Sequence, residues 1–177
     1  MRLLSNTRYI FFHSLFLLFI VSLSACQLLP DSKKTAAEVK DATLEKQINP
    51  DINETSVVET LPLMNNAVKN LYALAIRDYE LNLFTQAIEK LERAYEIQAD
   101  SPQITQLLAE ISLHQGHYKQ AHYWATIATK NIPSKGRNCS KSWRILAIAA
   151  EKTGYYAQQE KALKNIETCL VKASNRF

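Results

Sequence analysis

The sequence is poor in the residues that build loops and phosphate-binding sites. Its 177 residues include only three glycines, and these do not form a glycine-rich loop that could cradle a phosphate. No serine lies in a nucleophile elbow, and no pair of carboxylates marks an evident cleft. We therefore expect no enzymatic activity and no cofactor, although a site assembled only in space leaves no motif. The scarcity of glycine and the lack of strand-like alternation favour an all-helical chain.

Long apolar runs are also missing, except at the start of the chain. A positively charged start precedes a nearly apolar run from Tyr9 to Ser22, and Leu23-Ser24-Ala25-Cys26 closes it. This pattern is typical of a secretory signal, and its end resembles a bacterial lipobox. We predict that residues 1–25 are a lipoprotein signal peptide and that cleavage leaves Cys26 as the lipidated amino terminus. An uncleaved membrane anchor is the alternative, because the run approaches the length of a spanning helix.

Residues 26–60 are predicted to be a lipidated, largely disordered tether. This stretch is polar and has no sustained apolar period. Lys33–Ile48 could form a polar helix, but Leu44 and Ile48 are too sparse for us to expect good burial. The residue after Cys26 is Gln27 and not an aspartate, which resembles the pattern that sorts lipoproteins to the outer membrane of Gram-negative bacteria. The expected location is therefore that membrane, with a lipid anchor and the chain facing the periplasm.

A pattern of small and aromatic residues repeats between Val68 and Pro133 at an offset of 34 positions. A period of this length is typical of a helix–turn–helix repeat, in which small residues allow two helices to cross closely. The matching pairs are Leu74 with Leu108, Ala75 with Ala109, Phe84 with Tyr118, Ala87 with Ala121, Leu91 with Ala125, and Ala94 with Ala128.

These residues resemble the tetratricopeptide repeat (TPR) family. A third copy follows at an offset of 38, as if roughly one helical turn were inserted around Ser134–Cys139. The resemblance implies an all-α fold, a short TPR-like solenoid of three antiparallel helical hairpins over residues 61–177, preceded by the signal peptide and a flexible tether. The third copy comprises Trp143, Leu146, Ala147, Gly154, Tyr156, Leu163 and Ile166. The helices are predicted at 63–81, 85–98, 102–115, 118–131, 140–152 and 156–174.

The chain contains three cysteines, and two of them remain once Cys26 is assigned to the lipid. Cys139 and Cys169 lie equally far from Gly154, where the third hairpin is predicted to turn. Equal distances along the two arms place these cysteines side by side, and an oxidising compartment would let them form a disulfide. Two free thiols, or a zinc site with histidines, are the alternatives.

The TPR resemblance also implies a binding surface. In that family the first helix of each hairpin lines a concave groove that holds a peptide of a partner protein. Tyrosines and isolated aliphatic residues among polar groups suit such recognition, although the same aromatics could instead cover the core. The positions carried over are Lys69, Tyr72, Ile76, Tyr79, Glu80, Gln103, Gln106, Glu110, Leu113, His114, Lys141, Arg144, Ile148, Glu151 and Lys152.

Histidines offer the one alternative chemistry. His114, His117 and His122 lie close together in the sequence, around a turn and the helix that follows. Because no cysteine or carboxylate joins them at ligand spacing, we predict polar turn residues and no metal site. A metal-handling or enzymatic lipoprotein that uses the His114–His122 region remains the alternative function.

Charge is unevenly distributed along the repeats. Residues 61–118 carry a net charge of −3 and residues 119–177 a net charge of +8. A basic second half could meet lipid, an acidic protein, a wall polymer or only solvent, whereas nucleic acid is a poor partner for an exported lipoprotein. Self-association through Leu163, Ile166 and Leu170 is also possible. The predicted function is a protein–protein interaction adaptor in cell-envelope biogenesis: peptidoglycan enzyme regulation, outer-membrane assembly, or pilus and secretion assembly.

Overall fold

A computed structural model describes residues 40–50 and 59–170 of the chain. The predicted signal peptide, Cys26 and most of the predicted tether lie outside these residues. The chain divides into two units, Met1–Ala37 and Glu38–Phe177, and every described residue belongs to the second. None of the helices described is long and apolar enough to cross a membrane.

The described residues form seven helices and no strand, so the predicted all-α, TPR-like fold is confirmed. Six helices pair as three consecutive antiparallel hairpins, α2–α3, α4–α5 and α6–α7, and each hairpin packs on the next. A short additional helix, α1, precedes them. The helices are α1 (Ala42–Ile48), α2 (Asn66–Glu80), α3 (Phe84–Ile97), α4 (Pro102–His114), α5 (Tyr118–Asn131), α6 (Arg137–Thr153) and α7 (Tyr156–Cys169).

Local sequence signals account for where these helices begin and end. Asn65 caps α2, since its side-chain oxygen accepts a hydrogen bond from the Val68 amide at 2.9 Å. Pro102 occupies the first turn of α4, where its missing N–H leaves no helical hydrogen bond unmade. The hairpins turn at Asn82, Gly116 and Gly154, all with positive φ, and the last of these is the turn predicted above.

Two clusters of buried apolar side chains form the core. The first joins α2, α3 and α4, and the second joins α1, α4, α5, α6 and α7. Trp124 packs against both clusters and so links them. Trp143 and Ala147 pack with Ala121 and Ala125 of the preceding hairpin, which is the contact that a continuous stack of repeats requires.

The third hairpin carries the extra residues and a disulfide. Helix α6 begins at Arg137, three residues before the predicted start, so part of the insertion lengthens this helix to 17 residues. The structure joins Cys139 to Cys169, whose Cα atoms are 5.6 Å apart, and both side chains are buried. Leu163 and Leu170 remain exposed on α7, and self-association through them stays a prediction.

Helix α1 is where the structure differs most from what the sequence predicts. The expectation that Ile48 is too isolated to bury is wrong, because its side chain is 0% exposed and Leu44 is partly buried beside it. Asp41 caps the helix by accepting hydrogen bonds from the amides of Thr43 at 2.8 Å and Leu44 at 3.2 Å. Residues 42–48 are therefore an ordered helix that packs on the repeats instead of part of a disordered tether.

Candidate peptide-binding groove

The first helices of the three hairpins, α2, α4 and α6, contribute the residues that the TPR resemblance assigned to partner binding. We call the surface formed by these three helices the groove. Helix α1 packs against α6 and also contacts side chains of α2 and α4. The groove therefore already holds a helical segment, which this chain supplies itself.

The apolar part of this contact centres on Ile48. Its side chain packs in a cluster with Ala109 and Leu113 of α4 and with Ile145 of α6. Leu44, one helical turn earlier, packs at the edge of the same cluster. Full burial of an isoleucine contributes about 1.5–3 kcal/mol, so Ile48 is the main apolar anchor of α1.

The polar part of the contact surrounds the hydroxyl of Tyr79 on α2. This oxygen lies 3.1 Å from Glu110 Oε1, 3.3 Å from Glu45 Oε2 and 3.2 Å from His114 Nε2. His114 Nε2 also lies 3.3 Å from Glu45 Oε2. Glu45 thus brings a carboxylate from α1 into a hydrogen-bond network that otherwise belongs to α2 and α4.

Glu110 is the buried charge of the groove. The residue is 2% exposed, and its Oε2 forms a 2.8 Å ion pair with Lys141 Nζ of α6. Burial and the nearby charge of Glu110 raise the pKa of Tyr72 to about 12. The same two causes, with Glu45 in addition, raise the pKa of Tyr79 well above its ordinary value. Both tyrosines therefore remain neutral hydrogen-bonding groups.

Glu45 and His114 have shifted pKa values where α1 meets α4. Burial lowers the pKa of His114, and the attraction of Glu110 and Glu45 offsets this effect only in part. Partial burial acts to raise the pKa of Glu45, but hydrogen bonds and neighbouring positive charges prevail and lower it. Near neutral pH the contact is therefore a carboxylate facing a neutral imidazole.

Lys40 provides a second attachment just before α1. Its Nζ lies 3.6 Å from the centre of the Tyr79 ring, a cation–π contact. Its backbone amide donates a hydrogen bond of 3.2 Å to the Asn82 side-chain oxygen in the turn between α2 and α3. Tyr79 therefore contacts the segment through both its ring and its hydroxyl.

Glu45, Glu110 and His114 form the one group of potential metal ligands found among residues 40–50 and 59–170, with ligand atoms within 4.8 Å of one another. The Tyr79 hydroxyl lies among these atoms at hydrogen-bonding distances, and Lys141 pairs with Glu110. These side chains already pair with one another and with Tyr79 and Lys141, so the arrangement is that of a hydrogen-bond network. His122 contacts Gln158 and the ring of Tyr155 instead, so the histidines do not converge.

Several predicted groove residues hold the repeats together. Gln106 Nε2 donates to the Asn138 carbonyl at 3.0 Å and to Ser142 Oγ at 2.7 Å, which ties α4 to α6. The buried members of the predicted set are Tyr79, Gln106, Glu110 and Leu113; the partly buried ones are Tyr72, Ile76, Gln103, His114, Lys141, Arg144 and Ile148; and the exposed ones are Lys69, Glu80, Glu151 and Lys152.

Helix α1 covers only part of the groove. An open cavity of about 420 Å³ lies beside it, bordered by Leu44 and Gln47 on one side and by Ile148 and Lys152 on the other. A second cavity of about 600 Å³ shares Tyr118 and Lys152 with the first. Open space thus remains beside α1, between it and the ends of α4 and α6.

Three stacked hairpins with a helix packed on their first helices define a TPR-like helical-repeat fold with a candidate groove along those helices. No protein-family model matches the chain, and no curated protein matches it. Among solved structures, the chain is similar to the globular C-terminal domain of P. aeruginosa LpoP, with 25% identity and a TM-score of 0.49. The match covers 57% of this chain and 99% of that domain. A likeness this distant carries no functional argument.

Proposed function

We propose that this chain is a lipid-anchored adaptor on the periplasmic side of the outer membrane, and that its groove binds a helical segment of a partner protein. One observation carries the proposal: the groove holds α1 through an apolar anchor, Ile48, and a hydrogen-bonded carboxylate, Glu45. A surface that recognises a helix supplied by its own chain has the features needed to recognise one supplied by another protein.

The predicted leader, Cys26 and the disulfide support a location outside the cytoplasm. The predicted leader and Cys26 lie outside the described residues, and they remain the reason to expect export and lipidation. The Cys139–Cys169 disulfide fits that expectation, since disulfides persist in the periplasm and are rare in the cytosol. The groove would then face envelope proteins, of which the TPR resemblance suggests enzymes of peptidoglycan metabolism, outer-membrane assembly factors, and pilus or secretion components.

Site-specific photo-crosslinking in living cells tests the proposal. A photoreactive amino acid at Lys152, an exposed residue at the border of both cavities, would capture the partner. The same amino acid at Lys164, an exposed lysine of α7, is the matched control. We expect an adduct with a periplasmic or outer-membrane protein of the envelope machinery from Lys152 alone. Equal capture from Lys164, or the absence of any groove-specific adduct, would refute the proposal.

A further inference from the structure

We propose that α1 is a displaceable internal ligand of the groove, and that the partner binds there as an amphipathic helix with the same arrangement of side chains. That arrangement is an aliphatic residue, a glutamate directly after it, and a second aliphatic residue three positions after the glutamate, as in Leu44, Glu45 and Ile48. The inference rests on the proposed function in assigning the competing helix to another protein.

The groove recognises these side chains at separate places. Ile48 enters the apolar cluster between α4 and α6, with Leu44 beside it. Glu45 reaches the Tyr79 hydroxyl on α2 and His114 Nε2 on α4. Positions i and i+4 lie on one face of a helix and position i+1 lies next to that face, so only a helix presents the set together.

The charged part of the polar network keeps its partners when α1 leaves. Glu110 keeps its ion pair with Lys141 and its hydrogen bond with Tyr79, and His114 Nε2 keeps its contact with the Tyr79 hydroxyl. No buried charge would be left without a partner, a situation that costs several kcal/mol where it occurs. Glu45 itself is partly exposed and would return to water. Release of α1 therefore exposes mainly the apolar surface under Leu44 and Ile48.

A partner helix could also bury surface that α1 leaves open. Helix α1 contains seven residues, whereas isolated helices need about 12–15 residues to be even marginally stable in water. The cavity bordered by Leu44 and Ile148 lies open beside it. A longer partner helix that places the same three side chains and fills this cavity with bulkier neighbouring ones would bury surface that α1 leaves exposed, so it can compete with the internal ligand.

Peptide binding to the full-length protein tests this inference. The probe is a fluorescent synthetic peptide with the sequence of residues 38–50. The release variant is Leu44→Asp with Ile48→Asp, which removes both apolar anchors from α1. The matched control is Ala42→Asp with Lys46→Asp, which introduces two aspartates at the same spacing on the exposed face of α1.

We expect the release variant to bind the peptide at least about tenfold more tightly than the wild type, because a groove that is open only about 1–10% of the time lowers apparent affinity by that fraction. The control variant should bind like the wild type. In the release background, Tyr79→Phe should weaken binding, as should replacing Glu45 by Gln in the peptide. Equal binding by the release variant and the wild type, or by a scrambled peptide, would overturn the inference.

Two further measurements keep the result interpretable. Circular dichroism checks that the release variant retains its helices, and hydrogen exchange on the wild type avoids mutation altogether. Excess peptide should raise exchange at the Glu45 and Asn49 amides, whose hydrogen bonds belong to α1. Unchanged exchange at saturating peptide would overturn the inference. So would sedimentation showing a dimer of the wild type that the release variant loses, since the occupant would then be a second copy.

These outcomes are distinguishable from a failure of the proposed function. A groove-specific adduct in cells together with a negative peptide experiment leaves the adaptor role standing and removes the internal ligand. Peptide binding without any groove-specific adduct leaves the internal ligand standing and removes the adaptor role.

Discussion

Replacing Ile48 by alanine is the sharpest test of how α1 is held. The isoleucine side chain is 0% exposed and packs between α4 and α6. Truncation of a buried isoleucine to alanine typically costs about 2–5 kcal/mol. Since α1 is short and attached at few places, we expect this cost to appear as easier local opening of α1, with α4 nearly unchanged.

Native-state hydrogen exchange measures that opening directly. A loss of about 2 kcal/mol corresponds to roughly thirtyfold faster exchange, since about 1.4 kcal/mol is a factor of ten. The informative amides are Glu45 and Asn49, which donate to the carbonyls of Asp41 and Glu45 at 2.8 Å. They should exchange roughly ten- to thirtyfold faster in Ile48→Ala, the lower figure being the ceiling where α1 of the wild type is already open about 10% of the time, while the amides of α4 keep their protection.

The matched control is Ile97→Ala, the same truncation at an isoleucine that is 53% exposed at the end of α3. It should leave exchange in α1 unchanged. The reasoning is refuted if Ile48→Ala leaves the α1 amides as protected as in the wild type. It is equally refuted if α1 and α4 lose protection together, because α1 would then open only with the whole fold.

Three further predictions concern stability. Cys139→Ser removes a cross-link between residues 30 positions apart, so it should lower the free energy of unfolding by about 3–4 kcal/mol in denaturant titrations; a loss below about 1 kcal/mol would contradict this. Burial lowers the pKa of His114 below 6.5; Glu110 and Glu45 oppose this shift and Lys40 adds to it. As the pH falls, the unfolded chain therefore binds a proton at this histidine before the folded chain does, and stability should fall below about pH 6.5. Thermal melts should show that the melting temperature depends less on pH in His114→Gln. Gly154→Ala places a methyl group on a residue whose φ is +78°, and no atom lies within 4 Å of the new carbon. The substitution should therefore lower the free energy of unfolding by about 1–2 kcal/mol through backbone strain alone. A loss well above that would contradict this, because it would require lost packing.

The repeat pattern was sufficient to predict the three hairpins because each element carries its own local signal. An offset of 34 between Ala87 and Ala121 marks equivalent close crossings of helices, and both alanines are fully buried. Asn82, Gly116 and Gly154 mark the turns, since their left-handed conformations suit asparagine and glycine. Such signals lie within a few residues of the feature they predict, so neither neighbours nor partners are needed to interpret them.

The groove could be predicted only in part, because it depends on contacts between segments that are far apart in the sequence. Its positions follow from the TPR resemblance, but whether a position faces solvent or another helix depends on what packs over it. Glu45 and Tyr79 are 34 residues apart, and nothing in either segment indicates their contact. Leu44 and Ile48 span a single helical turn, which is too short for a periodic pattern to stand out from a polar segment.

The shortness of α1 also bears on what it does. A seven-residue helix is not stable alone, so α1 remains helical only while the groove holds it. When α1 leaves, each residue that becomes disordered regains about 1–2 kcal/mol of backbone conformational entropy, which offsets part of the lost contacts. A competing helix therefore needs a binding free energy that exceeds only the net value for α1, which is the free energy of its contacts less the free energy of its regained entropy. The feature that hides α1 in the sequence is thus also the one that allows another helix to replace it.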